Sequence, residues 1–184
     1  MVKRQSDSKP LELKRSYWLK LHQGINMNNS ELANYDPKSR DSYRFWTAVS
    51  IRFSDQDPLG HINNVAYAAY IEAARTMFLG GLLDSKANPN IDFVLASVTI
   101  DYIKEAYYPG IIDVGARLVR IGNKSITSGY SAFLGDTCIA TSKSTNVFFD
   151  AVKHQSVVVP DNVRSALLAD PLQQDRSQEY SRNY

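Results

Sequence analysis

Residues Val65 to Leu79 run without Gly or Pro, are rich in Ala, and stop at Gly80-Gly81, which predicts one helix of about four turns. Its apolar residues cover most of the circumference, so this helix has to be enclosed by protein and not lie half in water. After it the period changes. Phe93 to Ile103 alternates Val94, Ala96, Val98, Ile100 and Tyr102 against mixed positions, a strand pattern. Tyr108-Pro109-Gly110 breaks it, Ile111 to Ile121 resumes it, Gly122-Asn123 turns the chain into Ser125 to Leu134, and Gly135-Asp136 turns it again before Thr137 to Phe149. Tyr43 to Phe53 is expected as a first strand ahead of the helix, and Asp161 to Leu168, following Pro160, as a short last helix. One strand, one buried helix and four strands joined mostly by short turns give an α+β unit in which an antiparallel sheet wraps the helix.

A chain of 184 residues with 43% hydrophobic content holds one sizeable core. Residues 1–40 mix Lys and Arg with Asp and Glu and read as a polar extension outside it; residues 41–169 hold the domain; residues 170–184 read as a disordered tail. Within the extension, Leu11 to Ile25 suits a weakly amphipathic helix, and Met27 offers an alternative start. Its acids do not suit a transit peptide, and a secretory signal would need an uninterrupted apolar segment. A net charge of +2 with dispersed basic residues gives no footprint for nucleic acid, and no apolar run approaches the roughly 20 residues of a membrane span. Cys138 is the one cysteine. It rules out an internal disulfide framework and points to a reducing, cytoplasmic setting.

Chemistry concentrates just before the helix, in Asp55-Gln56-Asp57-Pro58-Leu59-Gly60-His61-Ile62-Asn63-Asn64. Asn63 or Asn64 supplies an N-cap. The first turn then offers unpaired N–H groups and a partial positive charge beside Asp57, where a carbonyl would be polarised with a carboxylate close by. Asp57 before Pro58 also suits a plain turn, and Asp55 suits a structural acceptor of backbone N–H groups. His61 has no second nitrogen or sulfur ligand nearby, so a loop-organising or pocket-lining role fits better than a metal. Glu72 and Arg75 stand at i, i+3 and pair most simply with each other.

The string Arg52 to Asn64, with Tyr67, Tyr70 and Glu72-Ala73-Ala74-Arg75 behind it, resembles the hotdog-fold acyl-CoA thioesterases of the 4-hydroxybenzoyl-CoA thioesterase type. The likeness covers about residues 43–150 and takes in Tyr107-Tyr108-Pro109-Gly110 and Arg120 to Ser125. It implies an acyl-CoA hydrolase that uses no cofactor or metal. Asp57 would be general base or nucleophile, and the backbone N–H of Asn64 the oxyanion donor. His61, Asn63 and Tyr67 would line the substrate site, and Lys124 with Arg120 would meet the nucleotide end of coenzyme A. Glu72 is the second candidate for the base, because another hotdog branch carries its carboxylate on this helix. The resemblance also implies a homodimer or homotetramer with the site at the interface. A non-catalytic acyl-thioester binding module and a hotdog hydratase or dehydratase are the other classes. The loop order departs from the D-x-N-P-x-H arrangement of the latter.

Overall fold

The computed structural model describes residues 29–83 and 86–169. The expected helix over Leu11 to Ile25, the alternative start at Met27 and the C-terminal tail lie outside these residues. The elements follow the order α1 (Asn29–Ala33), β1 (Phe45–Ser50), α2 (Asn64–Gly80), β2 (Ile91–Tyr102), β3 (Ile111–Ile121), β4 (Ser125–Leu134), β5 (Thr137–Asp150), β6 (Gln155–Ser156) and α3 (Asp161–Ala169). The strands form one antiparallel sheet in the order β1-β3-β4-β5-β2, with β6 beside β5. It curls around α2: the hotdog architecture expected from the sequence.

Alternation along the strands sets the two faces. Phe45, Ile112, Val114, Ala116, Leu118, Ile126, Tyr130 and Ala132 turn inward and join Tyr70, Ile71, Ala74 and Phe78 of α2 in the core, each large side chain contributing about 1.5–3 kcal/mol through burial. The Phe78 ring packs edge-on against Phe45 and Tyr130.

Element boundaries differ from expectation in instructive ways. Strand β1 ends at Ser50 and not at Phe53, because Ile51 N–H turns to the Gly110 carbonyl and Phe53–Asp55 coil into a 3-10 turn. Helix α2 gains a residue at each end. Gly81 closes it in a right-handed conformation, so the glycine pair does not act as a left-handed cap.

The larger correction concerns the polar segment ahead of β1. Its described part packs on the outer sheet face. Leu32 is fully buried, and Arg117, a buried outward residue of β3, donates to the carbonyls of Leu32 and Ser42 at 3.1 and 3.0 Å. The Arg117 guanidinium also stacks 4.1 Å from the centre of the Tyr35 ring. The Tyr43 hydroxyl meets Ser131 and the Pro37 carbonyl, and burial pushes that phenol well above its usual range. Gly115 lets the Tyr43 ring lie against the sheet, since a β-carbon there would come within 2.6 Å of it.

Candidate active site

Two carboxylates of the segment before α2, separated in the chain by Gln56 alone, are held in different ways. Asp55 is buried. Its carboxylate accepts from Arg52 N–H at 2.8 Å, Arg52 Nε at 3.0 Å and the Tyr70 hydroxyl at 2.7 Å, while its carbonyl accepts from the backbone and side-chain amides of Asn63. Burial alone would raise this acid, but the bonds from Arg52 and Tyr70 outweigh it and hold the carboxyl below its ordinary value. Burial, and then the bond to Asp55, push the Tyr70 phenol well above its usual range. Asp55 thus ties loop, helix and strand end together.

Asp57 has a freer carboxylate. Its Oδ1 accepts from the backbone N–H groups of Leu59 and His61 at 2.9 and 3.0 Å. Its Oδ2 has no hydrogen-bond partner among the described residues. The turn closes through Asp57 N–H to the His61 carbonyl and Gly60 N–H to the Asp57 carbonyl. Gly60 sits at φ +85°, a backbone region that a side chain would strain. The carboxylate is therefore oriented by the backbone, with one oxygen left open.

Helix α2 starts beside it. The Asn63 side chain accepts from Ala66 N–H at 2.8 Å, making Asn63 the N-cap. Asn63 also accepts from Ala66 and Tyr67 through its carbonyl. The N–H groups of Asn64 and Val65 bond to no described residue, as expected for the first positions of a helix. They carry the positive end of its dipole.

A cavity of about 470 Å³ opens here, lined by Asp57, His61, Ile62, Asn63, Asn64, Tyr67 and Tyr102 to Glu105, the end of β2 and the residues after it, a size suited to a small-molecule group. Five of the sequence-predicted residues therefore share one pocket. Tyr67 is buried, donates to the Lys104 carbonyl at 3.2 Å and packs edge-on against Tyr102. Tyr102 to Glu105 went unrecognised in the sequence. They reach the loop through the bridge His61↔Tyr107 and the bond from Ile62 N–H to the Ala106 carbonyl, pairings far apart in the chain. Glu105 stands 3.5 Å from His61 Nε2.

Other candidates lie elsewhere. Arg120 is exposed on β3, and Lys124 donates to Ser156 from the β3–β4 turn. Tyr102 pairs with Ala140 and Ala140 with Ala132, whereas Ser125 pairs with Val147. The turn therefore sits at the other end of the strands, roughly 20–25 Å away within one chain. Glu72 is 68% exposed, pairs with Arg75 at 3.0 Å and does not line the pocket. Burial pushes the Cys138 thiol up, which disfavours its thiolate.

A curled sheet around one helix, with a carboxylate loop and open N–H groups at the helix start, defines a hotdog domain of the thioesterase class. The chain belongs to the thioesterase-like superfamily, whose family model matches residues 51–167. It is 30% identical over 91 residues to YsmA of Bacillus subtilis strain 168, a match spanning 50% of this chain and 62% of that protein. Among solved structures it is similar to the PA5185 protein of Pseudomonas aeruginosa strain PAO1, with a TM-score of 0.63 and 27% identity over 74% of this chain and 97% of that one. A thioesterase from Thermus thermophilus, solved with coenzyme A and zinc, gives a TM-score of 0.57 and 26% identity over 65% of this chain and 87% of that one.

Proposed function

We propose that this protein hydrolyses acyl-CoA thioesters to a free carboxylic acid and coenzyme A. The observation that carries the reading is Asp57: two backbone N–H groups fix one oxygen, and the other is open in a pocket that also holds the unpaired N–H groups at the start of α2. A thioester is an activated acyl group, so a placed base and an oxyanion donor suffice. With the carbonyl oxygen at Asn64 N–H, Asp57 takes a proton from water as the water oxygen attacks the carbonyl carbon. Negative charge moves to the carbonyl oxygen under the helix N-terminus; the C–S bond then breaks, and the thiolate takes the proton held by Asp57 and leaves as the thiol. In the nucleophilic variant Asp57 itself attacks, and water hydrolyses the resulting anhydride. His61 and Asn63 wall the site, and Tyr67 supports the Lys104 backbone.

The exposed edge of strand β2 supports a site completed by a second copy of the chain. It is a twelve-residue edge strand with Val94, Leu95, Val98 and Tyr102 all more than 40% exposed, an edge that soluble proteins cover. A second copy pairing antiparallel along β2 would continue the sheet and bring the β3–β4 turn of the partner subunit to the same end as this pocket. Lys124 and Arg120 of the partner subunit would then be placed toward the phosphates of coenzyme A, which is bound in the Thermus thermophilus thioesterase. The assembly is a homodimer, or a homotetramer of two such pairs. Light scattering at micromolar concentration should give a multiple of the 20.7 kDa chain; the single-chain mass would contradict the shared site. No helix among the described residues is long and apolar enough to cross a membrane, and the lone thiol suits the cytoplasm.

The test is thiol release from a panel of short, medium, long and aromatic acyl-CoAs. Release from at least one class is expected. Binding without release across the panel would put the non-catalytic binding module first, and a product altered at Cα–Cβ would put the hydratase first.

A further inference from the structure

One hydroxyl in the pocket has no part in the chemistry of Asp57. Tyr102, the last residue of β2, is a pocket wall together with Asp57 and Asn64. Its OH donates to the Asn64 carbonyl at 3.3 Å, joining the end of the strand to the first turn of α2. The ring is fixed as well. Tyr67 packs edge-on against it, with 5.4 Å between centres and 85° between planes, and the Tyr67 hydroxyl is anchored on the Lys104 carbonyl. Tyr102 remains 48% exposed, so the ring contact and the bond to Asn64 hold it in place, not enclosure.

The acceptor matters because of the peptide unit it belongs to. The Asn64 carbonyl and the Val65 N–H are the two ends of one planar amide, and that N–H is one of the two left open at the start of α2. A helix commits one lone pair of such a carbonyl to its own ladder, and the second is free for Tyr102. A donor at the carbonyl oxygen draws electron density through the amide and makes its N–H a stronger donor. It also fixes the plane in which that N–H points. The effect runs both ways: an anion at Val65 N–H makes the Asn64 carbonyl a better acceptor. The Tyr102 bond is long for a hydroxyl donor, and it tightens as negative charge builds. An interaction that strengthens toward the transition state raises kcat.

We propose that Tyr102 is a positioning residue for the oxyanion site. It orients and polarises the peptide between Asn64 and Val65, so that Val65 N–H joins Asn64 N–H as a donor to the charge developing on the thioester oxygen. The inference rests on the thioesterase reading and deepens it. Tyr102 acts through the backbone and leaves the proton transfers to Asp57.

The test is Tyr102→Phe in the full chain, which keeps the ring against Tyr67 and removes only the hydroxyl. Thermal unfolding should match wild type. With an acyl-CoA that the wild type hydrolyses, kcat should fall about 5- to 10-fold, the worth of one neutral hydrogen bond, while KM stays in place. In protein labelled at the valine nitrogens, the Val65 amide nitrogen should move to lower chemical shift in the variant; a hydroxyl that only supports the strand would leave it unmoved. Wild-type kcat in the variant, a rise in KM with kcat kept, or a fall in kcat with the Val65 signal unmoved would each overturn the assignment. If the wild type releases thiol from no acyl-CoA, the thioesterase reading fails by itself. The Val65 signal then decides whether Tyr102 acts on that peptide, an unmoved signal overturning it.

Discussion

The two faces of one sheet treat polar groups in opposite ways. On the outer face, the polar side chains at the centre of the packing have partners: Arg117 reaches two carbonyls and an aromatic ring, Tyr43 meets Ser131, and Arg40 holds Asp113 at 2.9 Å while stacking on Trp46. On the inner face, beyond the apolar core, Ser128, Tyr130, Ser142 and Asn146 keep groups without well-formed bonds among the described residues. A polar group that is satisfied inside the chain holds the fold; one left without a bond weakens it. The same contrast separates the two acids of the loop. Asp55 is enclosed by Arg52 and Tyr70, and Asp57 keeps one oxygen free.

If this contrast is sound, mutations on the outer face should harm stability most. Arg117→Ala removes a buried fork of donors and its packing and should cost about 3 kcal/mol, lowering Tm by roughly 6–12 °C in a thermal melt. Gly115→Ala forces a methyl against the Tyr43 ring and should cost about 1–3 kcal/mol by denaturant titration. Asp55→Asn should cost about 2 kcal/mol at neutral pH, from weakened charged hydrogen bonds. Its pH dependence has a definite sign. The folded carboxyl titrates below its ordinary 3.8, so its contribution is fully present above that value and is lost as pH falls through the lower folded value. The variant should lack this part of the wild-type acid destabilisation, read from melts between about pH 2 and pH 5. Glu72→Gln, which loosens one exposed pair, should cost about 0.5 kcal/mol or less and leave thiol release intact. Ser128→Ala should change stability least, staying within about 0.5 kcal/mol of wild type or rising above it, since it deletes an unpartnered hydroxyl. A loss there as large as that of Arg117→Ala would erase the distinction between the faces.

What could be read from the sequence follows the same division between local and distant contacts. Helix α2 was legible because its Ala-rich run and its Asn63 cap are local, and β3 and β4 because period two and their turns are local too. The loop half of the pocket was legible for that reason: Asp57, His61, Asn63, Asn64 and Tyr67 lie within eleven positions of one another. Its other half was not, since Tyr102 to Glu105, at and just after the end of β2, join through pairing across about forty residues, and no local pattern announces it. The segment before β1 misled through its composition. It binds the sheet by offering backbone carbonyls to Arg117 and rings to glycine-lined surface, neither of which shows as hydrophobic periodicity. The buried inner serines at alternate positions of β4 and β5 carry no hydrophobic signal in the sequence. Only the fold turns them inward.

The central claim is that the open carboxylate oxygen of Asp57 performs the chemistry, and the most direct measurement is thiol release by wild type and Asp57→Asn on the same acyl-CoA, with binding of that acyl-CoA to both followed by calorimetry. The expected result is a fall in turnover of about 10²-fold or more with affinity retained. Full turnover by Asp57→Asn would contradict it.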